Sequence, residues 1–176
     1  MTAVKINQEE PDVSPADEVE NITVELHDTI GFNSAFPDYT CTAILKTNGT
    51  AICTFPSAIN GLFYIAVKSS NAIETWSKTT QTIGLTPLNY NFSTAATQAY
   101  GNNMVEVEPN VWAFYSGDIN QDDVIDGTDA PDLINDVENS EFGNKVTDLN
   151  GDGSVDNSDV PFFENNASNS IFSVHP

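Results

Sequence analysis

Two acidic stretches, beginning at Asp118 and Asp148, hold the residue types and spacings with the clearest chemistry. Asp118, Asn120, Asp122, Asp126 and Asp129 recur as Asp148, Asn150, Asp152, Asp156 and Asp159, each pair 30 residues apart, and Pro131 recurs as Pro161 at the same offset. So many matches at a single offset mark a duplicated unit rather than a solvated acidic tail. Within each copy the side chains fall at positions 1, 3, 5, 9 and 12 of a 12-residue loop, the spacing by which an EF-hand loop wraps calcium in oxygens. Val124 in the first loop and Ser154 in the second stand at position 7, which contributes a backbone carbonyl. Ile125 and Val155 follow at position 8 as apolar plugs toward a core.

The donor set contains oxygen only, without Cys or His, which favours hard cations over zinc or copper; the number of oxygens and their layout favour calcium over magnesium. Each loop sets four ligand carboxylates against one +2 ion. An empty loop therefore repels itself, and binding is coupled to folding of the module. Position 12 is Asp in both loops, where sensor EF-hands carry a bidentate Glu. Position 6 is Gly153 in the second loop but Asp123 in the first. That position wants left-handed backbone, which Asp adopts less readily than Gly, so the first site is expected to be the weaker.

The elements that position these loops follow from local patterns. Asp129-Ala130-Pro131-Asp132-Leu133-Ile134-Asn135-Asp136-Val137 predicts a short helix, with Pro in its first turn and acids near its N-terminus. Asp159-Val160-Pro161-Phe162-Phe163-Glu164 predicts a second. Upstream the period changes. Ile22, Val24 and Leu26 alternate with Thr23, Glu25 and His27, the period of a half-buried strand. Short runs rich in Thr, Ile, Val, Phe and Tyr follow at 39–46, 50–56, 62–69, 73–78, 79–84, 88–93, 103–108 and 111–116, broken by turn residues such as Asn48-Gly49, Asn60-Gly61 and Thr86-Pro87. The pattern predicts a mainly β fold, an antiparallel β-sandwich of immunoglobulin-like type, with a closed barrel as its competitor. Residues 2–7 read as a further strand and 8–20, acidic and Pro-containing, as a linker. The expected organisation is a strand-like segment and linker over 1–20, a β-sandwich over 21–116, and a calcium-binding module with a tail over 117–176.

Charge narrows the function classes. Five Lys, no Arg and 26 acidic residues give a net charge of -21. Phosphate recognition needs basic clusters, so nucleic-acid binding is excluded as an expectation, and anionic membrane surfaces are disfavoured. No apolar run approaches the ~18 residues of a spanning helix, and no signal peptide is visible. Cys41 and Cys53 flank a hairpin-like segment with Asn48-Gly49 as its turn. A cross-strand disulfide and two buried thiols are both open, and simple hairpin register does not set the two cysteines directly opposite each other.

Catalytic constellations are sparse. His27 and His175 are the only histidines. His27 is expected on the polar side of its strand and His175 at the surface, which leaves no Ser–His–Asp arrangement to argue. Glu74, Glu106 and Glu108 could be read as a glycosidase carboxylate pair, but strand surfaces carry Glu routinely. Trp76, Trp112, Tyr64, Tyr90 and Tyr100 could form a sugar-stacking platform, though core packing is the commoner role of such residues.

Asp-x-Asn-x-Asp-x-x-x-Asp-x-x-Asp followed by one short helix, twice over 118–165, resembles a dockerin type I repeat pair, which lacks the entering helix of a true EF-hand. The preceding region is similar to C-terminal modules of large secreted proteins from Bacteroidetes. The stretches that carry this are Gly61-Leu62-Phe63-Tyr64-Ile65-Ala66-Val67-Lys68, Asn71-Ala72-Ile73-Glu74-Thr75-Trp76-Ser77, Ala99-Tyr100-Gly101-Asn102-Asn103 and Phe114-Tyr115-Ser116-Gly117-Asp118-Ile119-Asn120. The resemblance implies a non-catalytic, extracellular or cell-surface structural or adhesive module with two calcium sites. The dockerin resemblance brings a cohesin on a scaffold into view as partner; the aromatic residues keep a carbohydrate in view, and the strand-like stretch at 2–7 with its linker keeps strand exchange with another copy of the chain in view.

Overall fold

A computed structural model describes residues 3–6, 18–30, 33–143 and 145–176 of the chain. The linker expected over 8–20 therefore lies mostly outside the described residues; its last residues, 18–20, already belong to a strand. Two compact units emerge, both discontinuous in sequence: residues 1–68, 75–114 and 174–176 form the first, and residues 69–74 with 115–173 the second.

The described residues of the first unit form ten strands: β1 (Ala3–Ile6), β2 (Glu18–Asp28), β3 (Tyr39–Lys46), β4 (Thr50–Cys53), β5 (Gly61–Lys68), β6 (Thr75–Trp76), β7 (Gln81–Ile83), β8 (Leu88–Asn91), β9 (Val105–Glu108) and β10 (Val111–Ala113). β2 is long and central. It pairs antiparallel with β3, Val24 opposite Cys41, and with β5, Val24 opposite Val67. β6 and β7 extend β5 to complete a five-stranded sheet. A three-stranded sheet runs β4-β1-β8, and β9 and β10 form a separate hairpin. The mainly β, antiparallel expectation holds with one exception: β1 pairs parallel with β4, Ala3 opposite Thr50. Ile22, Val24, Leu26, Ala43, Leu45, Phe63, Ile65 and Val67 from the larger sheet pack with Ala51, Cys53 and Tyr90 from the smaller one in a single core. Period-2 alternation creates this core, since every second side chain of a strand points to the same side.

Several sequence expectations need correction. The Asn48-Gly49 turn forms, with Gly49 N–H donating to Lys46 O at 2.8 Å. Yet β3 and β4 share no ladder among the described residues, because each is hydrogen-bonded into a different sheet. The run expected over 88–93 leaves the strand at Asn91, whose side chain accepts from Ser93 N–H at 2.9 Å and starts a 3-10 turn over Phe92–Thr94. His27 is not at a polar surface but only 1% exposed. β2 is flanked on both sides, and its second face is covered too: the His27 ring lies 4.3 Å from that of Trp76. The His27 Nε2 is 3.1 Å from Glu25 Oε2, and Lys68 Nζ is 3.4 Å from Glu25 Oε1. Burial alone would raise the Glu25 pKa, but the His27 hydrogen bond and the charges of Lys68 and His27 outweigh it and hold the carboxylate below its usual range.

Among the described residues the second unit has two α-helices, α1 (Ala130–Asn139) and α2 (Val160–Ser168). Both carry Pro in the first turn, where the missing N–H costs nothing. Its core is Ile73, Ile119, Ile125, Leu133, Leu149, Val155 and Phe163. Ile119, Ile125 and Leu133 are the 30-residue counterparts of Leu149, Val155 and Phe163, so the duplication supplies most of the core as matched pairs.

Candidate metal centre

The last aspartate of each loop sits at the N-cap of its helix but does not cap it with its side chain. It turns back into the loop. Asp129 is 1% exposed, and its Oδ1 accepts from Ile119 N–H at 2.7 Å and Asn120 N–H at 3.0 Å while Oδ2 accepts from Asp126 N–H at 3.0 Å. Asp159 repeats the pattern with Leu149 N–H at 2.8 Å, Asn150 N–H at 3.0 Å and Asp156 N–H at 3.0 Å. A carboxylate that collects three backbone donors is held in one orientation, turned back into the loop.

The first aspartates close the loops from the other end. Asp118 accepts from Asp122 N–H at 3.0 Å and Asp123 N–H at 3.2 Å. Asp148 accepts from Gly151 N–H at 2.8 Å and Gly153 N–H at 2.8 Å. Asn120 and Asn150 accept from the N–H two residues on, at 2.9 and 2.8 Å, and their amides donate to Thr128 Oγ1 and Ser158 Oγ. Asp126 and Asp156 each accept from the N–H of that same hydroxyl residue at 2.7 Å. Hydrogen bonds from Thr128 hold the Asp126 pKa down, and those from Ser158 do the same for Asp156. Asp118 goes the other way: burial, with the nearby charges of Asp129 and Asp123, pushes it up to about 6 against two backbone hydrogen bonds.

Every position singled out in sequence is thus brought into one of two loops, with Val124 and Ser154 at the same place in each. The chemistry fits a hard divalent cation, because oxygen donors with clustered negative charge gain most from one. The three glutamates weighed as a carboxylate pair differ in exposure. Glu106 and Glu108 are exposed and Glu74 is buried. Among the aromatics weighed as a sugar platform, Trp76 and Tyr90 are buried.

Sequence reasoning missed how the loops are clamped. Val124 bridges Phe172, and Ser154 bridges Phe142. Ile125 N–H donates to Ile171 O at 2.8 Å, and Val155 N–H donates to Glu141 O at 2.8 Å. Ser173 N–H donates to Asp123 O at 2.8 Å, and Gly143 N–H donates to Gly153 O at 2.9 Å. All of these contacts obey the 30-residue offset. Each loop is therefore held by the segment that follows the other repeat's helix. The signal was present: Asn135, Asn139, Ser140 and Phe142 match Asn165, Asn169, Ser170 and Phe172 at the same offset. Ser140 and Ser170 even share left-handed backbone, φ 50 and 49.

Residues 116–166 of the chain are similar to the dockerin type I domain. Domains of that type bind calcium and act as assembly modules rather than catalysts. No curated protein and no solved structure matches the chain. Among the described residues no helix is long and apolar enough to cross a membrane.

Proposed function

We propose that the chain is an extracellular, non-catalytic structural or adhesive module of a surface protein or assembly, and that its second unit folds on two calcium ions and docks a protein partner. Asp118, Asn120, Asp122, Asp126 and Asp129 with the Val124 carbonyl hold one ion. Asp148, Asn150, Asp152, Asp156 and Asp159 with the Ser154 carbonyl hold the other. The observation that carries this reading is the pair of matching loops, each with its first and last aspartates fixed by backbone donors and turned inward. The ions supply positive charge. Two of them move the net charge from -21 to -17 and relieve the repulsion within each loop.

The likeness to dockerins makes a cohesin-type receptor on a scaffold the first partner to test. The purified chain is passed over an immobilised cohesin panel with calcium and then with chelator. Capture that chelator abolishes supports docking; capture by none, with or without calcium, overturns the cohesin reading. A second reading, self-association by strand exchange, is favoured by the place of β1 between β4 and β8, which would both expose backbone edges if β1 moved to another copy. Deleting residues 1–7 tests it: a folded chain with unchanged particle size removes that reading.

A further inference from the structure

β3 and β4 are consecutive but enter different sheets, and this places their cysteines where a hairpin would not. On β3 the core-facing side carries Cys41, Ala43 and Leu45; on β4 it carries Ala51 and Cys53. Cys53 is fully buried, while Cys41 is half-buried at the margin of the same core. The two thiols lie close enough to share a hydrogen bond. Two core-facing thiols on adjacent strands of different sheets form a pair that one covalent bond would join across the sandwich.

We propose that Cys41 and Cys53 are a disulfide site, closed by exchange with an external disulfide such as oxidised glutathione or a thiol oxidase, with Cys41 as the entry thiol and Cys53 as the resolving thiol. In the first step the Cys41 thiolate attacks one sulfur of the external S–S bond. That bond breaks, a mixed disulfide forms on Cys41, and one external thiolate leaves. In the second step Cys53 gives up its proton and its Sγ attacks Cys41 Sγ. The mixed disulfide breaks and the second external thiolate leaves. The two cysteines lose two electrons, the external disulfide gains them, and the two released protons end on the two leaving thiolates.

Access sets the order, since only Cys41 can meet a reagent in solvent. Reactivity agrees with access. The hydrogen bond from Cys53 lowers the Cys41 pKa in spite of burial, so Cys41 is the more acidic thiol of the pair, whereas sharing that bond and burial push Cys53 upward. Both cysteines belong to the first unit, so the inference is independent of the calcium reading.

The test uses the whole chain. After incubation with oxidised glutathione, intact mass should show the loss of two hydrogens, no thiol should react with maleimide after unfolding, and peptide mapping should join 41 to 53. The oxidised first unit should melt about 10 °C above the reduced one, because closing a short loop restricts the unfolded chain. Cys53→Ser should stop at a single glutathione adduct on Cys41, and Cys41→Ser should take up none while folded. Two free thiols after oxidation, disulfides only between chains, or an adduct on Cys53 in the folded Cys41→Ser variant would each overturn the proposal.

Discussion

Replacing Gly153 by Ala isolates backbone strain as the difference between the two loops. Both loops pass through left-handed backbone at positions 4 and 6. The second uses Gly151 (φ 76) and Gly153 (φ 87), whereas the first uses Gln121 (φ 61) and Asp123 (φ 68). A Cβ built on Gly153 meets nothing within 4 Å, so no clash contributes to the cost. What remains is the left-handed penalty of about 1–2 kcal/mol, offset by about 0.4–1 kcal/mol because Ala restricts the unfolded chain more than Gly. The net is about 1 kcal/mol. If the ion orders the loop, that is roughly fivefold in affinity, given that about 1.4 kcal/mol is tenfold. Two-site calorimetric titration with calcium measures it. Asp123→Gly should move the first site the other way, by less, because it also removes a carboxylate. Gly127→Ala is the internal control, since Gly127 has open space and no positive φ; it should bind calcium as the unaltered chain does. Unchanged affinity in Gly153→Ala, or an equal loss in Gly127→Ala, would rule out backbone strain as the difference between the loops.

Chelation should destabilise the second unit by about 4 kcal/mol per site relative to calcium at ~1,000 times the dissociation constant, and a melting temperature unmoved by chelator would contradict that. In the same titrations Asp148→Ala should lose more affinity than Asp118→Ala, because the second loop is the less strained; the reverse order refutes the ranking. Ser173→Pro deletes the N–H that donates to Asp123 O and should weaken the first site more than the second, although residue 173 lies beyond the second loop and helix; a larger loss at the second site would dismiss the crossed clamp. Glu25 makes the first unit acid-sensitive. Its folded pKa lies below the ordinary 4.5, so its contribution is complete above that value and is lost as pH falls through the folded pKa. Glu25→Gln should flatten thermal stability against pH in this window, and an unaltered profile would show that Glu25 does not carry the acid sensitivity.

The loops were legible in the primary structure because the ligand spacing of a cation loop is local: positions 1 to 12 are brought together through turns that the Asp, Asn and Gly residues encode. The prolines of their first turns likewise mark the two short helices, and alternation marks the strand character of 39–46 and of 62–69, the latter found as Gly61–Lys68. Contacts between distant segments settle the rest. His27 reads as surface on a strand that alternates with apolar residues, yet it is buried because both faces of β2 are covered. Cys41 and Cys53 miss each other in hairpin register, yet both face one core because their strands enter it from different sheets. Ile73 lies far from the loops in sequence and joins their core. The clamp from Phe172 to Val124 closes between segments nearly 50 residues apart. Local patterns encode periodicity and turn chemistry; which faces become covered depends on contacts between distant segments, and no short window of sequence contains them.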